Sequence, residues 1–126
     1  MLRFGTDGVR GDADAELTSP YVRALGRAIA RALRPPAVLV GCDTRRSGPR
    51  IAAALTAGLA DEGVGAIPLG VLPTPALAGA ATARALPAVV VSASHNPWTD
   101  NGIKVIGPDG RDRKSTRLNS SHVALS

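Results

Sequence analysis

Short apolar runs alternate along this chain with longer stretches of helical periodicity, and this alternation constrains the fold more than any other feature. Each run is short enough for a buried strand, and the longer stretches repeat Leu, Ile or Val every three or four residues. Strands that alternate with helices predict βαβ units and a largely parallel sheet covered on both faces. The four predicted strands are 37–41, 64–69, 88–91 and 103–106.

Proline and hydroxyl residues mark where the three predicted helices begin. Proline suits the first helical turn, because its φ is already helical and its missing N–H needs no partner there. Thr18 or Ser19 is expected to cap the first helix before Pro20, and a hydroxyl before Pro75 is expected to cap the third. The predicted helices begin at Pro20, Pro49 and Ala76, and they end before Pro35, at residues 61–63 and near Ala85.

The chain of 126 residues has one residue each of Phe, Tyr, Trp and Met, so its core is expected to consist of Ala, Val, Leu and Ile. This length suffices for one modest domain. No apolar run approaches the roughly 18–20 residues of a membrane span, and the N-terminus has no hydrophobic signal core. A soluble, cytoplasmic protein with no membrane partner is therefore expected. Cys42 is the only cysteine, which excludes an intrachain disulfide and predicts a small, half-buried side chain at a strand end.

The net charge of +5 invites a nucleic-acid hypothesis, which the distribution of the charge disfavours. Four of the 15 basic residues fall in residues 111–126 against a single Asp, so much of the excess belongs to the end of the chain. The other residues are nearly balanced, and no basic stripe with interleaved aromatic residues occurs. No nucleic-acid partner is expected, and the sequence carries no signal of oligomeric state.

Polar or glycine-rich segments flank the predicted strands, and three of them carry the candidate chemistry. Residues 4–11 contain three glycines and predict a loop with unusual backbone angles or a close approach to a ligand. Residues 43–48 and 92–104 follow the carboxyl ends of two strands, which is the edge where open α/β sheets bind ligands. Ser94 precedes the turn dipeptides Asn-Pro and Asn-Gly, so its hydroxyl is expected at the lip of a strand. A serine presented in this way can carry a group in covalent catalysis.

An ordinary turn serine that bonds its own backbone is the alternative interpretation of Ser94. A nucleophile–base pair with His95 is disfavoured, because adjacent residues in an extended segment point to opposite sides. No Gly-x-Ser-x-Gly elbow surrounds the serine either, which argues against a hydrolase.

The segment Ser-Ala-Ser-His-Asn-Pro at 92–97, followed by Asn-Gly-Ile-Lys, resembles the phosphoserine loop of the α-D-phosphohexomutases. Segments at 4–11, 41–48 and 70–75 resemble the same family in the same order, and the first is most similar to its phosphoglucosamine mutase branch. The resemblance implies a three-layer α/β/α domain with a mixed, largely parallel four-stranded sheet, the family's domain I. It also implies the interconversion of glucosamine 6-phosphate and glucosamine 1-phosphate.

The resemblance implies roles for five side chains. Ser94 would hold the transferable phosphoryl group and donate it to the sugar, which gives a glucosamine 1,6-bisphosphate intermediate. Lys104 would act as a general acid or base, and Arg10 would bind phosphate. His95 would orient the loop or bond to the phosphate, and Arg45 would give electrostatic support.

Purely structural roles are the alternatives for two of these cations. Lys104 could be a solvated, outward side chain of its strand, and Arg10 could pair with Asp7 or Asp43. For the whole domain, the alternatives are a phosphomannomutase or phosphoglucomutase domain and a non-catalytic, phosphate-binding α/β module.

A magnesium ion is implied by the resemblance, since an oxygen of the Ser94 phosphate suits Mg²⁺. The family's remaining metal ligands lie in an Asp-Gly-Asp-x-Asp-Arg loop of a second domain, and no such loop occurs in this sequence. The chain is therefore expected to be domain I (residues 1–112) of a longer enzyme and inactive alone. Its expected partners are a hexosamine phosphate and the other domains of the same chain. Residues 113–126 are Ser-rich and have neither periodicity, which predicts a non-native or disordered tail.

Overall fold

Six strands form one sheet, with helices on both faces, in a computed structural model that describes residues 4–5, 8–12, 17–44, 46–92 and 100–111. The strand residues between 4 and 12, and residues 100 and 101, are described by their backbone alone. The elements are β1 (Phe4–Gly5), β2 (Gly8–Asp12), α1 (Ser19–Leu33), β3 (Ala37–Cys42), α2 (Gly48–Asp61), β4 (Gly65–Val71), α3 (Thr74–Arg84), β5 (Ala88–Val91) and β6 (Asp100–Ile106). Within these described ranges, no helix has the length and apolar character needed to cross a membrane.

The sheet is mixed, and its strand order is β1-β2-β6-β5-β3-β4. β3 pairs in parallel with both β4 and β5, whereas the β5–β6, β2–β6 and β1–β2 pairs are antiparallel. The predicted α/β class with a mixed sheet is confirmed. The four predicted strands form the continuous part β6-β5-β3-β4, in which most pairings are parallel.

The prediction of a loop over residues 4–11 is wrong for much of that segment. β1 and β2 lie there and add two strands to the sheet. β2 lies antiparallel to β6, with Val9 opposite Ile103 and Gly11 opposite Asn101. Glycine disfavours strands, but intrinsic strand preference is weak compared with the benefit of pairing the backbone with the otherwise open edge of β6.

Alternating side chains of the strands build two separate cores, one on each face of the sheet. Val38 and Val40 of β3 pack with α1 and α2. Leu39, between them, packs with α3 and with Val90 of β5. The buried residues of both cores are Ala, Val, Leu and Ile, as the composition predicts. The division into two cores produces the three layers of the predicted α/β/α arrangement.

The helices begin in two different ways. α1 begins as predicted, since Thr18 is the N-cap and its Oγ1 accepts a hydrogen bond of 3.3 Å from the N–H of Tyr21. The hydroxyl cap predicted for α3 is wrong. The N-cap is Pro73, and Thr74 is already the first helical residue, so its hydroxyl makes no capping hydrogen bond.

α1 and α2 cross where Gly26 and Gly58 allow the two backbones to touch. A Cβ built on Gly26 would lie 2.5 Å from the carbonyl oxygen of Leu55, and one built on Gly58 would overlap the carbonyl group of Arg23. Both obstacles are backbone atoms, so no side-chain rotation can make room. The crossing therefore requires glycine on both helices.

Acidic residues at the end of α2 bind arginines of α1. Asp61 accepts two hydrogen bonds of 2.7 Å from Arg23 and one of 3.1 Å from Arg27. Glu62 accepts one of 3.0 Å from Arg31. Hydrogen bonding by Arg23, and then by Arg27, holds the pKa of Asp61 well below its usual range. These ion pairs join the two helices on their outer side.

We expect Gly58→Ala to lower the free energy of unfolding by about 1–3 kcal/mol, because the added methyl group meets backbone atoms of α1. Gly79→Ala in α3 is the matched control. Among the described residues no neighbouring atom lies within 4 Å of a Cβ at Gly79, so higher helix propensity should raise stability by about 0.5–1 kcal/mol. Urea unfolding followed by circular dichroism measures both changes. Equal effects of the two substitutions would contradict the packing argument.

We expect Asp61→Asn to lower the free energy of unfolding at pH 7, and we expect this deficit to shrink as the pH falls below about 4. The folded chain keeps Asp61 ionised where the unfolded chain already binds a proton, so the stabilisation is present above the unfolded pKa and is lost in acid. Urea unfolding between about pH 3 and pH 7 measures it.

Glu62→Gln is the comparison variant for Asp61→Asn. It should lower the free energy of unfolding by less, because Glu62 accepts a single hydrogen bond from an arginine and the Arg31 side chain is 64% exposed. A deficit of Asp61→Asn that does not change with pH would show that the ion pairs contribute nothing to stability.

Candidate active site

The parallel pairing of β3 and β5 brings two polar segments to one edge of the sheet. β3 ends at Cys42, β5 ends at Val91, and these two residues are register partners. The segments that begin with Asp43 and Ser92 therefore start side by side at the carboxyl edge. This is the edge at which the sequence predicts a ligand site.

Asp43 and Ser92 are bonded directly to each other. The hydroxyl Oγ of Ser92 donates a hydrogen bond of 2.9 Å to Oδ2 of Asp43, in a partly buried position. The backbone N–H of Asp43 donates to the carbonyl oxygen of Val91 at 3.1 Å, and the N–H of Ser92 donates to that of Gly102 at 2.9 Å. Ser92 is the first residue of the polar segment 92–104, called the serine loop from here on. This first residue is therefore fixed through both its side chain and its backbone. The sequence analysis did not predict this contact. Both residues directly follow predicted strands, but only the strand order shows that these strands are neighbours.

Lys104 lies on β6 opposite Val90 of β5. Its neighbours Ile103 and Val105 belong to the core under α1 and α2, so strand alternation directs Lys104 to the α3 face, where Val90 also lies. The side chain is partly buried. A cation on this face, close behind the carboxyl edge, is compatible with the predicted role in acid–base chemistry, which remains a prediction.

The other predicted site residues fall wholly or partly outside the described residues. Ser94, His95 and Arg45 lie outside them altogether. Arg10 is described by its backbone, which lies on β2 opposite Gly102 of β6. Since Gly102 also accepts the bond from the Ser92 N–H, the fold brings the backbone of Arg10 beside the residue that holds the start of the serine loop.

Cys42 is a free, partly buried thiol at the end of β3, as predicted. Burial raises the pKa of this thiol, and the negative charge of Asp43 raises it further. The thiol is therefore protonated at neutral pH and is a poor nucleophile.

In the part of the chain that the structure describes, no group of three or more His, Cys, Asp and Glu side chains could hold a metal ion. Asp43 and Ser92 meet as one carboxylate and one hydroxyl, which is too small a donor set for Mg²⁺. The described residues therefore do not make a magnesium site by themselves.

The sequence of residues 1–119 matches the family model for the phosphoglucomutase/phosphomannomutase α/β/α domain I. The chain therefore belongs to the phosphoglucomutase/phosphomannomutase family. The match extends past residue 112, where the sequence predicts the end of the domain. That boundary, and the nature of residues 113–126, stay predictions.

Bacterial proteins of the family resemble the chain over most of its length. It is 51% identical to a phosphoglucosamine mutase of Mycolicibacterium vanbaalenii over 85% of the chain, and 54% identical to one of Mycobacterium tuberculosis over 85%. The chain spans about a quarter of the length of these relatives, 26% and 25% respectively. A crystal structure of a phosphoglucomutase/phosphomannomutase family protein from Burkholderia thailandensis superposes with a TM-score of 0.81 at 32% identity, over 95% of this chain and 28% of that one.

We expect Cys42 to react with an aromatic disulfide reagent at pH 7 at least about tenfold more slowly in the folded chain than in urea. Burial limits access to the thiol, and the raised pKa lowers its thiolate fraction. Raising the pH to about 9 should narrow the difference. The absorbance of the released aromatic thiolate measures the rate, and the single cysteine makes its assignment unambiguous. Equal rates in the folded and unfolded chains would contradict the described environment.

Proposed function

We propose that the chain is the catalytic-serine domain of a phosphoglucosamine mutase, which interconverts glucosamine 6-phosphate and glucosamine 1-phosphate. The observation that carries this proposal is the identity of 51% and 54% with proteins of that name, each over 85% of the chain. The fold supports it, because the segment containing Ser94 starts at the carboxyl edge of the sheet, between the Asp43 segment and the backbone of β2.

Ser94 is proposed to carry the phosphoryl group between two oxygens of one sugar. The O1 hydroxyl of glucosamine 6-phosphate attacks the phosphorus on Ser94, the bond from phosphorus to Oγ breaks, and the hydroxyl proton passes to a base. The resulting glucosamine 1,6-bisphosphate turns round in the site. Oγ of Ser94 then attacks the 6-phosphoryl group, and O6 leaves and takes up a proton. Both displacements depend chiefly on alignment and on neutralising charge at the phosphoryl oxygens.

Cationic side chains supply that neutralisation in the proposal. Lys104 is the proposed acid or base, which its partly buried position near the edge supports. Arg10 is proposed to bind phosphate through two parallel N–H bonds, and its backbone position opposite Gly102 supports this. His95 is proposed to orient the loop or bond to the phosphate, and Arg45 to add positive charge.

Magnesium is generally used by phosphohexomutases, and we propose that phosphorylated Ser94 binds it with further ligands from outside this chain. The bound ion would neutralise part of the charge on the phosphoryl oxygens. Other domains of the same polypeptide are proposed to bind the sugar, in keeping with a chain that spans about a quarter of its relatives. The 126 residues alone are thus proposed to lack turnover, and the complete enzyme to work in the bacterial cytoplasm.

A phosphomannomutase or phosphoglucomutase is the second candidate. It is favoured by a crystal structure of a proposed phosphomannomutase from Thermus thermophilus, which superposes on 98% of this chain and 29% of that one with a TM-score of 0.85 at 32% identity. The kcat/KM values of the full-length enzyme from the source locus, measured with the 6-phosphates of glucosamine, mannose and glucose, distinguish the two. A preference for mannose or glucose would select the second candidate.

We expect Ser94→Ala in the full-length enzyme to lower kcat at least about a thousandfold, because no covalent carrier remains. Intact mass and peptide mapping of the parent enzyme should place one phosphate on Ser94. Thr82→Ala is the control, since it also removes a hydroxyl, one that donates a 3.2 Å bond to the carbonyl oxygen of Ala78 in α3. It should leave kcat within about twofold. Full activity of Ser94→Ala would refute the mutase proposal. A parent enzyme that is unphosphorylated and inactive would favour a phosphate-binding module.

A further inference from the structure

Ser92 lies two residues before the proposed carrier serine, and its side chain is held in place. Its hydroxyl donates to the Asp43 carboxylate at 2.9 Å in a partly buried position, and its N–H donates to the Gly102 carbonyl oxygen at 2.9 Å. Asp43 is fixed in turn by its own N–H, which donates to the Val91 carbonyl oxygen at 3.1 Å. The contact joins the ends of two parallel strands, so it is tied to the rigid part of the sheet.

We propose that Asp43 is a positioning residue for phosphoryl transfer. It acts by holding Ser92, and so it fixes the point from which the chain leads to the carrier serine. The inference rests on the proposed function for its catalytic consequence. It assigns different tasks to the two serines of the Ser-Ala-Ser segment: Ser92 is the anchor, and Ser94 is the carrier.

The negative charge of Asp43 explains why the two serines have different tasks. A phosphoryl group adds about −1.5 to −2 charges at neutral pH. On Ser92 it would stand beside the Asp43 carboxylate, where like charges repel and the existing hydrogen bond would be lost. The Asp43–Ser92 pair therefore disfavours phosphorylation at the first serine and leaves the second as the site that can hold the group.

Distance explains why the anchor matters to the chemistry. Two residues span at most about 7 Å of chain, so a shift of Ser92 is separated from the carrier serine by very little backbone that could absorb it. A misplacement of about 1 Å between reacting groups can cost on the order of a hundredfold in rate. The backbone bond to Gly102 fixes the N–H of Ser92, and the bond to Asp43 adds a second point that restricts its rotation.

The test uses the full-length enzyme from the source locus with Asp43→Ala, Ser92→Ala and the double variant. Each single variant should lower kcat about 10- to 100-fold and leave KM for the sugar phosphate within about twofold, because the sugar-binding groups are not changed. The double variant should be no worse than the poorer single variant, since both changes remove the same bond. Ser92→Thr keeps the hydroxyl and should restore most of kcat.

Two controls distinguish positioning from stability. Asp61→Asn removes a carboxylate that binds Arg23 and Arg27 of α1, away from the Asp43–Ser92 contact. It should lower the free energy of unfolding, but at temperatures well below melting it should leave kcat unchanged. Thr82→Ala should change neither kcat nor KM. Should Asp43→Ala fail to fold, Ser92→Ala and Ser92→Thr carry the same comparison.

Two outcomes would overturn the proposal: kcat within about twofold of the parent in both single variants, or phosphate mapped to Ser92 instead of Ser94. Absence of mutase activity in the parent enzyme would count against the proposed function instead. The anchor is then decided in the 126-residue chain by amide hydrogen exchange. The Ser92 N–H should exchange at least about tenfold faster in Asp43→Ala than in the parent chain, and unchanged exchange would overturn the anchor.

Discussion

The parallel pairing of β3 with β5 is the constraint on which the candidate site depends. Parallel neighbours end at the same edge, so the residues after Cys42 and after Val91 must start next to each other. The hydrogen bond between Asp43 and Ser92 is possible because of this register. A slip of either strand by one residue would turn only that strand's side chains to the opposite face of the sheet and would break the contact.

The two cores, one on each face of the sheet, contain the same residue types but differ in size and in the helices that cover them. The face under α1 and α2 holds the larger core, closed by the glycine crossing and by the arginine pairs of Asp61. The face under α3 has a smaller core and carries Lys104 beside Val90. The larger core and its ion pairs thus lie on one face of the sheet, and the partly buried Lys104 lies on the other.

Much of the fold could be predicted from the sequence, because each strand and helix has its own local signal. Short Val-rich runs identified β3 and β5, and prolines with apolar spacing identified the helices. β1 and β2 could not be predicted in this way, since their glycines indicate a loop and their strand pairing depends on β6, which lies far along the chain. The cap of α3 was missed because Thr74 has the residue type of an N-cap but lies one position inside the helix.

The site was predicted less completely than the fold. Motif resemblance points to Ser94 and Lys104. No periodicity reveals that Asp43 binds Ser92, because four elements, α2, β4, α3 and β5, separate the two residues in the chain. Contacts of this kind follow from topology, so they become visible only when the strand order is known. The residue types alone, one Asp and one Ser in loops, are too common to indicate a pair.

The pairing of β2 with β6 joins the first described strands of the chain to the last. During synthesis, the ribosome makes Arg10 long before Gly102 exists to receive its strand, so the N-terminal segment must wait for nearly the whole domain to emerge. A nascent chain can build the β3–β4 pair and the α1–α2 crossing earlier, from residues closer together in sequence. β1 and β2 are therefore expected to join the sheet last, and the sheet is complete only when almost all of the described chain has been made.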